Sequence, residues 1–409
     1  MTQTILADDP ARARDVRAKD LRVITLVGAG HFVSHVYILA LPPLFLFVRD
    51  DFGVSFTELG VALAIFNILS ATLQTPAGFL VDRVGAAVVL IGGLLLGAFS
   101  LVGAALTTSF PVFVAMFALL GLANTAYHPA DYALLSARIS AQRMSKAYSI
   151  HIFAGFAGTA AAPASLLLLA EAFGWRGAFL ATAAVGLAVA AAMILFGEAL
   201  RGRDAAPAKP DPGGTNWQIL LSAPVLLNLL LFVLISMTAS AFQNYGIVAL
   251  AALWDTPLPV ATVAVTAYLA FSALAVLAGG VLAARTDRHD LIAVAGFALN
   301  GLAILPIAFI DFGVAALIAF SAFSGFFHGI YQPSRDMLVR AVTPPGSFGK
   351  VFGFVTTGFN IGGVISPPVF GWLMDHQQPA TVLLIGAACA FVAIPIVLLN
   401  AASGLRKPA

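Results

Sequence analysis

Tyr127-His128-Pro129-Ala130-Asp131 stands inside a long apolar run, from about Phe110 to Leu135. Insertion scales put the cost of an ionisable side chain at that depth at about 2.5–3.5 kcal/mol, so such groups face protein or a wet cavity rather than lipid. The phrase returns as Tyr331-Gln332-Pro333-Ser334-Arg335-Asp336, an offset of 204 residues from Pro129 to Pro333. Without a gap, the same offset aligns Gly121 with Gly325, Leu134 with Leu338, Lys146 with Lys350, Gly158 with Gly362 and Pro163 with Pro367. The chain is read as a duplication in which Asp131 of the first half falls on Arg335 of the second.

The surrounding composition sets the class. The 409 residues are 60% hydrophobic and only 10% charged, with a mean hydropathy of +0.96. Soluble domains carry roughly 25% charged residues, so the bilayer is the expected solvent. A net charge of +2 gives no reason to expect nucleic acid, and the single Cys389 excludes an intramolecular disulfide or a cysteine metal cage. Residues 1–23 are polar and of mixed charge, without the short apolar core of a cleaved signal peptide.

A spanning helix needs about 20 mostly apolar residues. Charges and turn residues punctuate the chain into twelve such runs: 24–48, 57–81, 87–107, 110–136, 147–171, 176–199, 222–253, 260–284, 290–310, 313–341, 350–374 and 380–401. The Pro- and Gly-containing stretch 201–218 reads as a linker. The expectation is an all-α polytopic membrane protein of twelve transmembrane helices in two pseudo-symmetric six-helix bundles, 24–200 and 219–401. An N-terminal segment 1–23 and a tail 402–409 flank them. If both termini are cytoplasmic, 18 of the 21 Lys/Arg fall on that side, Arg49 and Arg176 fall outside and Arg335 lies within a span. The positive-inside rule then predicts the cell inner membrane with both ends in the cytoplasm. Six spans per half make the repeats parallel, related by an axis along the membrane normal.

Between the second and third spans stands Gly78-Phe79-Leu80-Val81-Asp82-Arg83-Val84-Gly85. It resembles the loop signature of the major facilitator superfamily, with Ala86 where a further basic residue is usual. The second-half copy, Gly280-Val281-Leu282-Ala283-Ala284-Arg285, keeps the glycine and arginine but lacks the aspartate. The resemblance covers essentially the whole chain and implies a secondary transporter. It also implies that Gly78, Asp82, Arg83 and Gly85 form a conformational loop motif. Asp82 would then meet the positive N-terminal end of another helix, favouring the outward-facing state, with the eleventh span starting after Pro344-Pro345-Gly346-Ser347. Gly30-His31 with Leu41-Pro42, and Asn124 with His128-Pro129, are similar to the fosmidomycin-resistance branch, whose members are proton-driven exporters. Where that branch commonly has an acid after the Gly-His, this chain has Ser34-His35.

The immersed ionisable residues are His31, His35, His128, Asp131, His151, His328, Arg335 and Asp336. Asp131, Arg335 and Asp336 are gate candidates: Asp131 and Arg335 would pair across the pseudo-two-fold, or Arg335 would bind Asp336 alone. His128 and Asp131, one turn apart, with His31, are the candidate proton-coupling groups, since histidine titrates near neutral pH. Substrate-binding candidates are Arg335, whose guanidinium fork suits carboxylate or phosphate, with His35, Tyr127, Gln243, Asn244, Tyr331 and Asn360. His151 and His328 read as neutral core residues. His31-x-x-x-His35 has the spacing of a two-histidine metal site, but no carboxylate or third ligand is near in sequence, so no metal is expected. Prolines 129, 163, 333, 367 and 368 interrupt helical hydrogen bonding inside spans.

No phosphate-cradling loop and no nucleophile elbow occur, so neither an enzyme nor a cofactor is expected. The reading is a monomeric, proton-coupled secondary transporter of a small, anionic organic solute. The alternatives are proton-driven efflux of a drug or phosphonate antibiotic, and a membrane sensor that binds ligand without moving it.

Overall fold

The computed structural model describes residues 10–140, 143–200, 217–344 and 348–404. Most of the linker, residues 1–9, Pro345-Gly346-Ser347 of the helix start and 405–409 of the tail lie outside the described residues.

The described chain is helical from end to end: α1 (Pro10–Ile38), α2 (Phe45–Phe52), α3 (Phe56–Val84), α4 (Ala86–Leu106), α5 (Phe110–Arg138) and α6 (Met144–Phe196) form the first half. The second half comprises α7 (Trp217–Leu220), α8 (Ala223–Gln243), α9 (Gly246–Leu253), α10 (Leu258–Ala283), α11 (His289–Phe309), α12 (Val314–Ile330), α13 (Gln332–Val342), α14 (Phe348–Asp375) and α15 (Pro379–Gly404). Twelve passes result. Spans one, seven and ten are each split into two helices, and spans five and six run together as α6. Gly174, at φ 71°, makes the bend between those two without a loop, a conformation that L side chains avoid.

Ten helical stretches among the described residues are long and apolar enough to cross a membrane, one of them covering the double pass of α6. Their outward faces carry Phe99, Leu106, Leu168, Phe173 and Leu195, all strongly exposed. A water-facing protein would leave few contiguous apolar side chains uncovered, so this belt fits lipid.

Two details add to the sequence reading. The first helix starts at Pro10, not near residue 24, because the polar segment is rich in Ala, Arg and Lys, which helices favour. Asp20 anchors that extension, accepting hydrogen bonds from Ser140 Oγ at 2.7 Å and Arg143 Nη1 at 2.8 Å. The five prolines read as interrupting helical hydrogen bonding all stand in helices, and Pro333 lies beside a split, at Tyr331 between α12 and α13. Helices α5, α6 and α14 continue through Pro129, Pro163 and Pro367-Pro368.

The halves meet along two seams, α3 with α14 and α6 with α10. An even number of passes puts both chain ends on one face, called here the termini face. On the opposite, far face the α3–α14 seam is tight. The first four N–H groups of a helix lack intrahelical partners, and all four of α3 are met. Ser55 N donates to Glu58 Oε2 at 2.8 Å and Glu58 N to Ser55 Oγ at 3.1 Å, a capping box. Phe56 N and Thr57 N donate across the bundle boundary to the two carboxylate oxygens of Asp375, at 2.8 and 2.9 Å, and the Thr57 hydroxyl adds a third bond. Beside them the Tyr245 hydroxyl donates to Pro367 O at 2.6 Å.

Gly60 makes the approach possible, since a Cβ there would stand 2.3 Å from Pro367 O. Gly60→Val is therefore expected to hold the far face apart while leaving each bundle folded. Increased labelling of a far-face cysteine with an unchanged melting temperature would check this. Gly121 packs within the first bundle, where a Cβ would stand 2.5 Å from Phe66 O, and a side chain there should instead lower the melting temperature.

On the termini face a groove of about 550 Å³ lies between α6 and α10, lined by Ile152, Val276, Leu277, Val281 and Pro333. Asp82 is exposed and, among the described residues, makes no side-chain hydrogen bond or ion pair. The helix start it is expected to meet, Pro345-Gly346-Ser347, lies outside the described residues.

Candidate functional site

A cavity of about 360 Å³ lies between the bundles. The first half supplies His35 of α1, Asn67 of α3 and Phe156 and Thr159 of α6. The second supplies Ser236, Gln243 and Asn244 at the end of α8, His328 of α12, Gln332 of α13 and Phe359 and Asn360 of α14. Among the described residues, no Asp, Glu, Lys or Arg lines it. The wall thus offers amides, hydroxyls and imidazoles against aromatic faces, a mixture suited to holding a solute that makes directional hydrogen bonds.

Four of the substrate-binding candidates, His35, Gln243, Asn244 and Asn360, lie in this wall. Three do not. Tyr127 is buried with its hydroxyl donating to Gly93 O at 3.0 Å. Tyr331 is buried against Phe297, its hydroxyl 3.2 Å from His328 Nδ1. Arg335 sits one turn beyond Gln332, stacked over the rings of Phe232 at 4.5 Å and Phe359 at 5.3 Å. Its Nε and Nη2 donate to Asp336 Oδ1 at 2.9 and 2.7 Å, while Nη1 is buried without a partner.

Asp131 and Arg335 are not brought together here. Asp131 is fully buried within the first bundle, where α1, α5 and α6 assemble a cluster of four imidazoles around its carboxylate. His31 Nδ1 lies 3.1 Å and His151 Nε2 3.9 Å from Asp131 Oδ2. The His31 ring stacks on His151 at 3.8 Å and meets His35 and His128 edge-on at 4.7 and 5.3 Å. The helical spacings place His31 with His35 and His128 with Asp131, as read from the sequence. His151 joins them from the next antiparallel pass, a neighbour that no local pattern announces. His35 links the two features: its Nδ1 is 2.8 Å from Thr159 Oγ1, and it also lines the cavity.

The repeat would have found part of what single-residue inspection missed. At the 204-residue offset, His35 corresponds to Ala239, Phe156 to Asn360 and Thr159 to Gly363, and all six line the cavity. Once Asn360 is a candidate, Phe156 follows by symmetry. Ser236, Ser240 and Ser272 carry no such signal, being small residues in apolar helices.

Comparison with known proteins agrees with the architecture. The profile of the Major Facilitator Superfamily matches residues 27–256 and 244–408. An uncharacterized MFS-type transporter of Bacillus subtilis, YfnC, is 24% identical over 362 residues, 86% of each chain. A probable L-galactonate transporter of Escherichia coli is 23% identical over 143 residues, 35% of this chain and 32% of that one. An MFS-type efflux pump of Mycolicibacterium smegmatis is 28% identical over 212 residues, 50% of this chain and 47% of that one. Among solved structures, an inward-facing bacterial homologue of the human lysosomal transporter Spinster superposes with a TM-score of 0.74 at 14% identity, covering 98% of this chain and 100% of that one. The nucleoside transporter NupG gives 0.76 at 14% identity, covering 93% and 99%. The chain belongs to the Major Facilitator Superfamily, a family of membrane transporters.

Proposed function

We propose that the protein is a secondary active transporter that carries a small organic anion by alternating access, coupled to protons. The observation that supports it most is the cavity between the bundles, sealed on the far face by the Asp375 contact and bordered by a groove on the termini face. With the termini in the cytoplasm of the cell inner membrane, as the distribution of Lys and Arg argues, this conformer faces inward. Rocking one bundle against the other would expose the same cavity to the other side. One chain completes the cavity, so the working unit is a monomer.

Arg335 supports the anionic reading. Its free Nη1 lies behind Phe359, itself part of the cavity wall, and a planar fork suits a carboxylate. The neighbouring amides and hydroxyls would meet hydroxyl groups, so a hydroxylated carboxylate is the best-fitting class. The relative of Escherichia coli, a probable L-galactonate transporter, handles a compound of that kind. Coupling is assigned to the Asp131 cluster: a buried carboxylate whose ion-pair partners among the described residues are imidazoles needs a cation to accompany it through the cycle, and a proton is the smallest available.

The test is uptake of a labelled hexonate into proteoliposomes with an imposed pH step. The wild type should accumulate it, and Arg335→Gln should raise the half-saturating concentration at least tenfold, about 1.4 kcal/mol of lost binding. Binding without accumulation would make the protein a sensor. Equal uptake of a neutral polyol by wild type and variant would end the anionic reading.

A further inference from the structure

We propose that His31, His128, His151 and Asp131 form a binding site for a divalent transition-metal cation of the Zn²⁺ class, buried in the first bundle behind the cavity wall. Three imidazoles and a carboxylate are a donor set that Zn²⁺ and Co²⁺ take in four-coordinate sites. The spacing comes close to such a site. Ligand atoms about 2.0–2.1 Å from a tetrahedral ion lie roughly 3.3–3.4 Å from one another. One ligand atom from each of His31, His128 and His151 falls within a 4.8 Å set of three. Asp131 stands beside that set, its Oδ2 3.1 Å from His31 Nδ1 and 3.9 Å from His151 Nε2.

The second observation is what these atoms lack. His31 Nδ1, both ring nitrogens of His151 and both oxygens of Asp131 are buried without a hydrogen bond of acceptable geometry. Native interiors rarely leave so many polar atoms unmet in one place. A proton shared between His31 and Asp131 would satisfy two of them and leave His151 and the second carboxylate oxygen unmet. An ion coordinated by all four residues meets one atom of each side chain together. Among the described residues the ion-pair partners of Asp131 are the two imidazoles alone, so a dication also supplies the missing opposite charge.

Access runs through His35, which touches both the cavity and the His31 ring. Gly155 lets both rings pack against α6: a Cβ there would stand 2.6 Å from His31 Nε2 and 2.8 Å from His35 Nε2. Metal binding requires the imidazoles without their protons. A consequence, which rests on the proton-coupled reading, is that the metal and the coupling proton exclude each other.

The experiment uses the full chain in detergent, with any affinity tag removed and treated with chelator, titrated with Co²⁺ alone. The expected result is one equivalent bound with the intense visible bands of a tetrahedral centre, displaced by Zn²⁺. His151→Gln and Asp131→Asn should each abolish those bands and weaken Zn²⁺ binding by more than about tenfold, the loss that even outer partners of metal ligands can cause. His328→Gln, in the other bundle, should change neither. Failure of the wild type to bind one Co²⁺, a weak octahedral spectrum, or tight tetrahedral binding persisting in both cluster variants would overturn the site. The wild-type spectrum decides the matter even if a variant misfolds. Protein that transports solute but takes no Co²⁺ refutes the metal site alone, and protein that binds Co²⁺ but moves nothing refutes the transporter reading alone.

Discussion

Asp375→Ala is expected to tip the resting protein away from the conformer described here, toward one open on the far face. The carboxylate accepts two backbone N–H groups and a hydroxyl at the start of α3, three bonds that join the bundles and have no counterpart once they part. Hydrogen bonds to charged groups are worth about 1.5–3 kcal/mol each, and the positive end of the helix adds about 0.3–1 kcal/mol. Asp375 is half-buried, so water replaces part of what is lost, leaving a net change of about 2–3 kcal/mol. Every 1.4 kcal/mol is tenfold, so the equilibrium should move roughly 30- to 150-fold. An aqueous thiol reagent acting on Ile152→Cys, in the groove between α6 and α10, reads the change. Labelling should fall steeply when Asp375→Ala is added. Unchanged labelling would mean that apolar contacts, not this carboxylate, hold the far face shut.

Asp131→Asn is expected to separate binding from accumulation. The substitution keeps the shape of the side chain and removes its charge, and Asp131 does not border the cavity. Solute binding, followed by thermal shift, should therefore stay close to wild type. Concentrative uptake should fall by one to two orders of magnitude, the span of a coupling free energy of about 1–3 kcal/mol. A variant that concentrates solute at the wild-type rate would remove Asp131 from the coupling machinery. One that loses binding and uptake together would give the residue a structural role.

Helix count and duplication were legible in the sequence because they depend on one-dimensional quantities: run length, hydropathy and a fixed offset. Pairs one helical turn apart, His31 with His35 and His128 with Asp131, were legible for the same reason. The partners of those pairs were not. His151 lies 20 positions beyond Asp131 and returns on the following helix, so only the packing angle of α6 against α1 decides that it meets His31. Arg335 shows the reverse case. Its position in the repeat matched it with Asp131, yet Asp336 is the adjacent residue and claims its Nε and Nη2 in this conformer. Asp375 drew no notice, because a lone acid at the end of a span reads as an ordinary boundary until the start of α3 is found against it.

The antiparallel course of α3 and α14 carries a kinetic consequence. Each ends in an acid, Asp82 on one face and Asp375 on the opposite one, and Asp375 is engaged with the start of α3. A stiff pair that tilts as a lever must release Asp375 before its other end can close, so the bonds of that carboxylate are lost early in the tilt. Cargo is then expected to speed turnover to the extent that its own contacts make up for the bonds released there.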